Sequence, residues 1–156
     1  MIYPATNPKL ADAIMETVIT TANAVGLRHY VIAGALLGWY RDNQYIPWDN
    51  DLDIGVYYEP GKYEDFLVRL ITMGFLTDIG DEWEGKHLWR YGMLADMVFL
   101  EPTSGGAKFY EHPTTLYHAK YLYPVPSPTE DYLEWKYGPD WRVPKKKGEY
   151  EFQHGG

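Results

Sequence analysis

Apolar residues near the N-terminus recur three and four positions apart, which is the spacing of one face of an α-helix. These positions are Leu10, Ile14, Val18, Ala22 and Val25. Asn7 is a typical N-cap residue, Pro8 suits the first helical position, and Gly26 can end a helix. The pattern predicts a helix that begins at Pro8 and ends before Gly26.

Two later stretches have the same helical character. Apolar positions with helical spacing predict a helix that Gly74 ends, and a shorter helix is predicted from Gly34 to Tyr40. The positions of the longer pattern are Tyr63, Phe66, Leu67, Leu70 and Ile71.

The last helix is predicted from its start signal. Glu130 follows Ser127 by three residues, which is the spacing of a capping box with Ser127 as the N-cap. The helix should run to Tyr137, because Gly138 and Pro139 come next.

Short apolar runs between these helices predict β-strands. The predicted strands are 30–33, 51–57, 75–79, 87–91, 93–100 and 107–110. Because helices and strands alternate before a run of strands, we predict one α/β (α+β) domain with helices flanking a mixed sheet. The domain should span residues 1–156, with 142–156 as a polar tail.

An acidic cluster stands at the start of the second predicted strand, where Asp49 to Asp53 read Asp-Asn-Asp-Leu-Asp. Alternate side chains of a strand share a face, so Asp51 and Asp53 should point the same way, about 6.6 Å apart at Cα. Like charges at this separation need a cation or a proton between them. Oxygen ligands suit Mg²⁺, which binds through one or two carboxylates together with substrate phosphates. Solvated acidic residues at a strand start are the alternative.

A third carboxylate, Asp96, lies inside the apolar run 93–100. An Asp within such a strand is seldom buried unless it is paired or binds a metal. With Asp51 and Asp53 it would form the type of site that catalyses metal-dependent phosphoryl transfer.

Small residues precede the acidic cluster, at the start of the short predicted helix. Gly34 and Gly38 would let phosphates approach the backbone, although small residues also serve close packing. Arg41 could bind a phosphate or pair with Asp42 at the surface. Trp48 could pack over the loop or stack on a ligand.

Composition limits the possible functions. The net charge of −8 argues against binding to nucleic acid, and 46% hydrophobic residues are ample for a core. The chain has no Cys, which excludes disulfides and thiolate ligands. The five histidines lack metal-ligand spacing, so we interpret them as structural or surface residues. They are His29, His87, His112, His118 and His154.

The N-terminus has neither the basic nor the apolar region of a signal peptide. No apolar run approaches the roughly 20 residues that span a bilayer. We therefore expect a cytoplasmic protein without an integral membrane segment.

Two motifs together resemble the signature of the LicD family, which includes phosphocholine transferases of bacterial surface glycans and fukutin-type phospho-ribitol transferases. The segment 34–41 reads Gly-Ala-Leu-Leu-Gly-Trp-Tyr-Arg, and 46–55 reads Ile-Pro-Trp-Asp-Asn-Asp-Leu-Asp-Ile-Gly. The family pattern is similar to Gly-Thr-Leu-Leu-Gly, an Arg, then Ile-Pro-Trp-Asp-Asp-Asp-Ile-Asp. Ala35 and Asn50 depart from it.

The resemblance extends weakly along the chain. Ala95 to Val98 resembles the family's later strand with its Asp, and 132–141 resembles a C-terminal Leu…Tyr-Gly-Asp element. The resemblance implies a nucleotidyltransferase-like fold and Mg²⁺- or Mn²⁺-dependent transfer of a phospho-alcohol, such as phosphocholine. The implied donor is CDP-linked, and the implied acceptor is a hydroxyl, as on a glycan.

By this resemblance Asp51 and Asp53 bind the metal, and Asp96 completes the site and helps to deprotonate the acceptor. The residues that would line the donor site are Gly34, Gly38, Arg41, Trp48 and Asp49. Two other functions use the same fold: transfer of a nucleoside monophosphate from a triphosphate to a small molecule or protein, and nucleotide or glycan binding without catalysis.

Overall fold

The computed structural model of the chain describes residues 7–78, 85–146 and 148–149. Helices and strands alternate through the first half of this part, and a hairpin and a helix close the second half. The elements are α1 (Pro8–Val25), β1 (His29–Val31), α2 (Ala33–Asp42), β2 (Asp51–Val56), α3 (Lys62–Thr72), β3 (Leu76–Thr77), β4 (His87–Arg90), β5 (Met93–Phe99), a 3-10 helix (Ala107–Tyr110), β6 (Thr114–His118), β7 (Tyr121–Val125) and α4 (Thr129–Tyr137).

Five strands form a mixed sheet in the order β1-β2-β5-β4-β3. The central pair, β2 and β5, is parallel, and the other neighbours are antiparallel. The strands β6 and β7 form a separate hairpin, and β7 contacts β1. The predicted mixed α/β sheet is thereby confirmed.

The core lies between the sheet and its helices. α1 contacts α3 and β5, while α2 contacts β2 and α4. On β2 the apolar side chains of Leu52 and Ile54 are buried, whereas Asp51 and Asp53 are half-buried. The alternation of the strand therefore separates the core face from the carboxylate face.

The first helix confirms its predicted bounds and caps. The side chain of Asn7 accepts a hydrogen bond from the Leu10 N–H at 3.2 Å, and Pro8 begins α1. Gly26 ends the helix with φ of 72°, a left-handed conformation that suits glycine.

The first predicted strand is shorter than expected. β1 ends at Val31, and Ala33 already begins α2 with φ of 51°. A non-glycine residue in this conformation is strained, and such residues cluster at functional sites. The third predicted strand is also shorter, because β3 spans Leu76–Thr77; Ile79 lies outside the described residues.

The predicted strand 107–110 is wrong, because these residues form a 3-10 helix. The Ala107 and Phe109 N–H groups donate to carbonyls three residues earlier. Phe109 and Tyr110 are buried and contact Tyr132 of α4, so aromatic packing between distant segments decides this conformation. The hairpin of β6 and β7 was not predicted, because its side chains are mostly exposed and lack a clear apolar alternation.

The predicted capping box of α4 is also wrong. The N-cap is Pro128, which makes no side-chain capping bond. The Glu130 carboxylate instead accepts a hydrogen bond from the Tyr40 hydroxyl and pairs with Arg142, each at 2.9 Å. These tertiary partners compete with the local capping bond.

The predicted polar tail is described as far as residue 146 and at 148–149, and its other residues lie outside the described part. Lys145 pairs with Asp140 at 3.0 Å, so the beginning of this segment contacts the domain. Among the described residues, we find no helix with the length and apolarity needed to cross a bilayer.

Candidate metal centre

Three carboxylates converge at one end of the central strand pair. Asp51, Asp53 and Asp96 each offer an oxygen, and these oxygens lie within 4.8 Å of one another. The convergence follows from the sheet, because Asp53 and Asp96 are register partners on the parallel strands β2 and β5. Asp51 lies two residues before Asp53 on the same face.

The electrostatics of these carboxylates show the cost of their proximity. Burial and then the charges of Asp51 and Asp96 raise the pKa of Asp53 above its ordinary value. Burial likewise raises the pKa of Asp96, although the charge of His87 partly offsets this effect. The site therefore favours a proton or a cation between its carboxylates.

The set of ligands fits a hard divalent cation. Three half-buried carboxylates supply only oxygen donors, which Mg²⁺ and Mn²⁺ prefer. Two oxygens bound to one Mg²⁺ lie at most about 4.2 Å apart, so a small contraction of the cluster would suffice for one ion. Metal binding at this site remains a prediction.

Asp49 lies beside the three carboxylates. Its Oδ1 accepts a hydrogen bond from the Asp51 N–H at 3.4 Å, at the start of β2. Burial, a hydrogen bond with Asp51 and the charges of Asp51 and Asp53 raise the pKa of Asp49 well above its ordinary value. Asp49 is therefore suited to hold a proton next to the site.

Gly34 brings the beginning of α2 against the same group. A Cβ at this position would lie 2.4 Å from Asp49 Oδ2 and 3.8 Å from Asp53 Oδ2. The Gly34 backbone hydrogen-bonds to Asp53 and lowers the pKa of that carboxyl. A side chain here would displace the Asp49 carboxylate from its position beside Asp53, so glycine preserves this arrangement. Contact with a donor phosphate stays a prediction.

Gly38, one turn further along α2, has a packing role in the structure. A Cβ there would lie 2.5 Å from the Gln44 carbonyl oxygen and 3.0 Å from the Ile46 nitrogen. Gly38 therefore lets the loop after α2 pack closely against the helix. This is the packing role that small residues can have. A phosphate contact at Gly38 stays a prediction.

Arg41 lies near the end of α2, and its contact with a donor phosphate stays a prediction. Arg41 lies seven residues after Gly34 on α2, about 10 Å along the helix axis. Its guanidinium pairs with Asp42 at 2.9 Å and donates to the Trp141 carbonyl at 3.3 Å. The pairing with Asp42 is the alternative considered above, although the side chain is buried and not at the surface.

Trp48 lies in the loop before the carboxylates. It is half-buried against the core, and its Nε1–H donates to the Lys145 carbonyl at 3.1 Å. This placement agrees with the packing interpretation, and stacking on a ligand stays a prediction.

One histidine that we assigned to the structural or surface class lies at the site. His87 is the register partner of Asp96 on β4, and its Nε2 lies 3.5 Å from Asp96 Oδ1. Its Nδ1–H donates to Asp78 Oδ2 at 2.7 Å, and its backbone N–H donates to Asp78 Oδ1 at 3.2 Å. Asp78 thereby orients the ring toward Asp96. No spacing in the sequence indicates this arrangement, because the residues belong to three separate segments.

α4 contributes two more residues that the sequence analysis did not select for the site. The Tyr132 hydroxyl accepts a hydrogen bond from the Ala33 N–H at 3.2 Å, at the beginning of α2. Lys136 is buried four residues later, and its positive charge lowers the pKa of Asp53. In the sequence, Lys136 lies four residues after Tyr132, which places both on one face of a helix, and this spacing was the signal for it.

The part of the chain that contains the three carboxylates is similar in sequence to known proteins. Residues 26–123 match the family model described as LicD/FKTN/FKRP, nucleotidyltransferase domain. The curated "Ribitol-5-phosphate transferase FKTN" of Homo sapiens is 23% identical over 172 residues, covering 92% of this chain and 35% of that protein. "Ribitol 5-phosphate transferase FKRP" of Mus musculus is 40% identical over 57 residues, covering 35% of this chain and 12% of that protein. The chain therefore spans about a third of the length of FKTN.

Solved structures with the same fold are more distant in sequence. The antibiotic-resistance factor ANT(2'')-Ia has a TM-score of 0.58 at 10% identity, covering 77% of this chain and 66% of that chain. An antigenic nucleotidyltransferase-like protein from Paracoccidioides brasiliensis has a TM-score of 0.51 at 14% identity, covering 81% of this chain and 64% of that chain. These similarities confirm the predicted nucleotidyltransferase-like fold.

Proposed function

Because the chain belongs to the LicD/FKTN/FKRP family of transferases, we propose that it moves a phospho-alcohol from a CDP-linked donor onto a hydroxyl acceptor with the help of a divalent metal. The observation that carries the proposal is the convergence of Asp51, Asp53 and Asp96 within 4.8 Å. Ribitol phosphate is the first phospho-alcohol to test, because the similar proteins FKTN and FKRP are named ribitol-phosphate transferases. Phosphocholine is the second.

In the proposed reaction, the acceptor hydroxyl oxygen attacks the phosphorus that carries the alcohol, and the phosphoanhydride bond to CMP breaks. The products are the phosphodiester, CMP and a proton. A bound Mg²⁺ or Mn²⁺ would neutralise charge on the phosphate oxygens as it develops.

The residues of the chain have separate roles in this proposal. Asp51 and Asp53 hold the metal, and Asp96 completes the ligand set and accepts the proton of the acceptor hydroxyl. His87 and Asp78 orient the Asp96 carboxylate. Asp49 and Gly34 shape the wall beside Asp53.

The acceptor in this proposal is a hydroxyl group. We propose a glycan hydroxyl, because the family resemblance implies one. We also propose that the chain works in the cytoplasm. We propose that it binds no nucleic acid, because its net charge is −8.

Thermal unfolding with and without Mg²⁺ tests the donor class. The ligands to compare are CDP-ribitol, CDP-choline, CTP and ATP. A ligand at 100 times its dissociation constant adds about 2.7 kcal/mol to the free energy of unfolding, which raises the midpoint by several degrees. We expect a Mg²⁺-dependent rise with a CDP-alcohol in the wild type and none in Asp51→Asn.

The other outcomes separate the alternatives. A rise with CTP or ATP alone would replace the proposal with nucleotidyl transfer. A rise with CDP-ribitol or CDP-choline, without release of CMP in the presence of candidate acceptors, would favour a binding module. No rise with any of the four ligands would contradict the proposed donor class.

A further inference from the structure

Lys136 is a buried cation on the side of α4 that faces α2. The residue is 7% exposed, and its charge interacts with that of Asp53. Tyr132 precedes it by four residues, so the two side chains share a face of α4. Because the Tyr132 hydroxyl bonds to the Ala33 N–H, this face of α4 meets the beginning of α2 next to Asp53.

Packing alone gives a weak reason for a lysine at this position. Lysine is rarely buried without a charge partner, and replacing a buried ion pair by apolar residues of similar volume is often neutral or stabilising. The lysine is therefore held in its place at a free-energy cost to the fold.

Asp53, whose charge interacts with that of Lys136, has a second task in the proposed function. In the proposed function Asp53 binds a divalent cation, and its negative charge is then neutralised by the metal. A buried ammonium beside a neutralised carboxylate favours a new anion close by. The diphosphate of a nucleotide-linked donor is such an anion.

We infer that Lys136 binds a phosphate oxygen of the donor once a metal ion has neutralised the charge of Asp53. The inference rests on the proposed function and adds a binding residue from outside the segment 26–123 that matches the family model. An ammonium binds phosphate as a compact point charge. Arg41, which the sequence analysis selected for this role, pairs with Asp42 and donates to the Trp141 carbonyl.

The inference predicts effects of opposite direction on two ligands. Without Lys136, Mg²⁺ alone should bind equally well or more tightly, because a positive charge next to Asp53 is gone. A diphosphate ligand in the presence of Mg²⁺ should bind more weakly, by about 10- to 100-fold, which is the usual contribution of a hydrogen bond to a charged group. A lysine that only supports the fold would weaken both ligands together or neither.

The experiment is calorimetric titration of Lys136→Met with Mg²⁺ alone, with CDP-ribitol plus Mg²⁺, and with inorganic pyrophosphate plus Mg²⁺. Lys62→Met is the matched control, because Lys62 is exposed and pairs with Glu59 on another part of the domain. If Lys136→Met does not fold, Lys136→Gln takes its place, since a neutral amide can keep a hydrogen bond in the buried position. Far-UV circular dichroism checks the fold of each variant.

We expect weaker binding of both diphosphate ligands, with no loss of Mg²⁺ affinity, in the Lys136 variants and not in Lys62→Met. Unchanged diphosphate affinity, or equal losses for Mg²⁺ and diphosphate, would overturn the inference. If the wild type binds pyrophosphate with Mg²⁺ but not CDP-ribitol, ribitol phosphate fails as the donor alcohol, and the pyrophosphate titration alone decides the role of Lys136. If the wild type binds neither, the inference about Lys136 is overturned together with the ribitol donor.

Discussion

The charged side chains at the two ends of strand β2 are arranged in opposite ways. At the beginning of the strand, Asp51 and Asp53 face the like charge of Asp96. Past its end, Glu59 accepts a hydrogen bond from the Arg28 N–H at 3.2 Å and lies 3.5 Å from Lys62 Nζ. One end thus gathers charges that repel each other, and the other pairs charges that attract.

This difference separates a site from a structural contact. The pairs around Glu59 are exposed to solvent and contribute little to stability, about 0–1 kcal/mol each. At the other end, burial and then the charge of Asp51 raise the pKa values of Asp53 and Asp96, so their ionised forms are disfavoured without a cation. Ionised side chains that the fold does not stabilise are typical of functional sites.

Removing one charge at each end of β2 should give the largest difference in transferase activity. Asp51→Asn should lower transferase activity by about 10³-fold or more, because a metal contributes several kcal/mol to transition-state stabilisation. Glu59→Gln should leave activity within about twofold, because it removes only exposed ion pairs. Release of CMP from the CDP-alcohol that stabilises the wild type measures both.

The fold should survive the change at the acidic end. Asp51→Asn reduces repulsion with Asp53, so its unfolding midpoint without metal should be no lower than that of the wild type. Full activity of Asp51→Asn would contradict the assignment of the site to the beginning of β2.

The second prediction concerns the support of Asp96. His87→Gln should weaken Mn²⁺ binding by about 10- to 100-fold, because loss of the group that orients a metal ligand has effects of this size. His112→Gln, at an exposed histidine, is the matched control and should bind Mn²⁺ like the wild type. Titration calorimetry with Mn²⁺ alone measures the difference.

Urea unfolding without metal tells whether His87 acts on the site or on the fold. Equal Mn²⁺ affinities of His87→Gln and the wild type would show that the contact with Asp96 has no role in metal binding. A large loss of stability in His87→Gln without metal would assign the histidine to the structural class instead.

The smallest expected effect is a pH dependence of stability at the end of β2 away from the carboxylates, where His29 is the register partner of Val56. Burial lowers the pKa of His29 below its ordinary 6.5, although a hydrogen bond to the Leu27 carbonyl partly opposes the shift. The unfolded chain therefore binds more protons than the native protein as the pH falls below about 6.5. Stability from the neutral ring is present above that pH and is lost below it, by at most about 1.4 kcal/mol per pH unit.

His29→Gln should lack this part of the pH dependence. Urea unfolding of the wild type and the variant at pH 7.5 and pH 5.5 gives the free energies of unfolding. The wild type should lose more stability than His29→Gln on acidification. Equal losses in the two proteins would show that His29 does not titrate differently in the folded state.

The parts of the fold that the sequence predicted are those with strong local signals. α1 has its apolar periodicity over 18 residues, with the Asn7 cap before them and Gly26 after them, and each was confirmed. The alternation along β2 placed Asp51 and Asp53 on one face, as the structure shows. The motifs 34–41 and 46–55 indicated the LicD family, which the match of residues 26–123 confirmed.

The elements that sequence reasoning missed depend on distant partners. Residues 107–110 adopt a 3-10 helix because Phe109 and Tyr110 pack against Tyr132. Glu130 contacts Tyr40 and Arg142 and does not make the predicted capping bond. In both cases contacts between segments outweigh a local preference of small free energy.

The sequence by itself determined the centre of the candidate site: acidic residues on one face of a strand, a glycine before them and the family to which the chain belongs. Only the tertiary structure decided which further groups surround that chemistry. The parallel register of β2 and β5 places Asp96 beside Asp53, β4 adds His87, and α4 adds Lys136. The physical reason is that periodicity and capping act over a few residues, whereas these side chains meet through sheet pairing and helix packing between segments far apart in the chain.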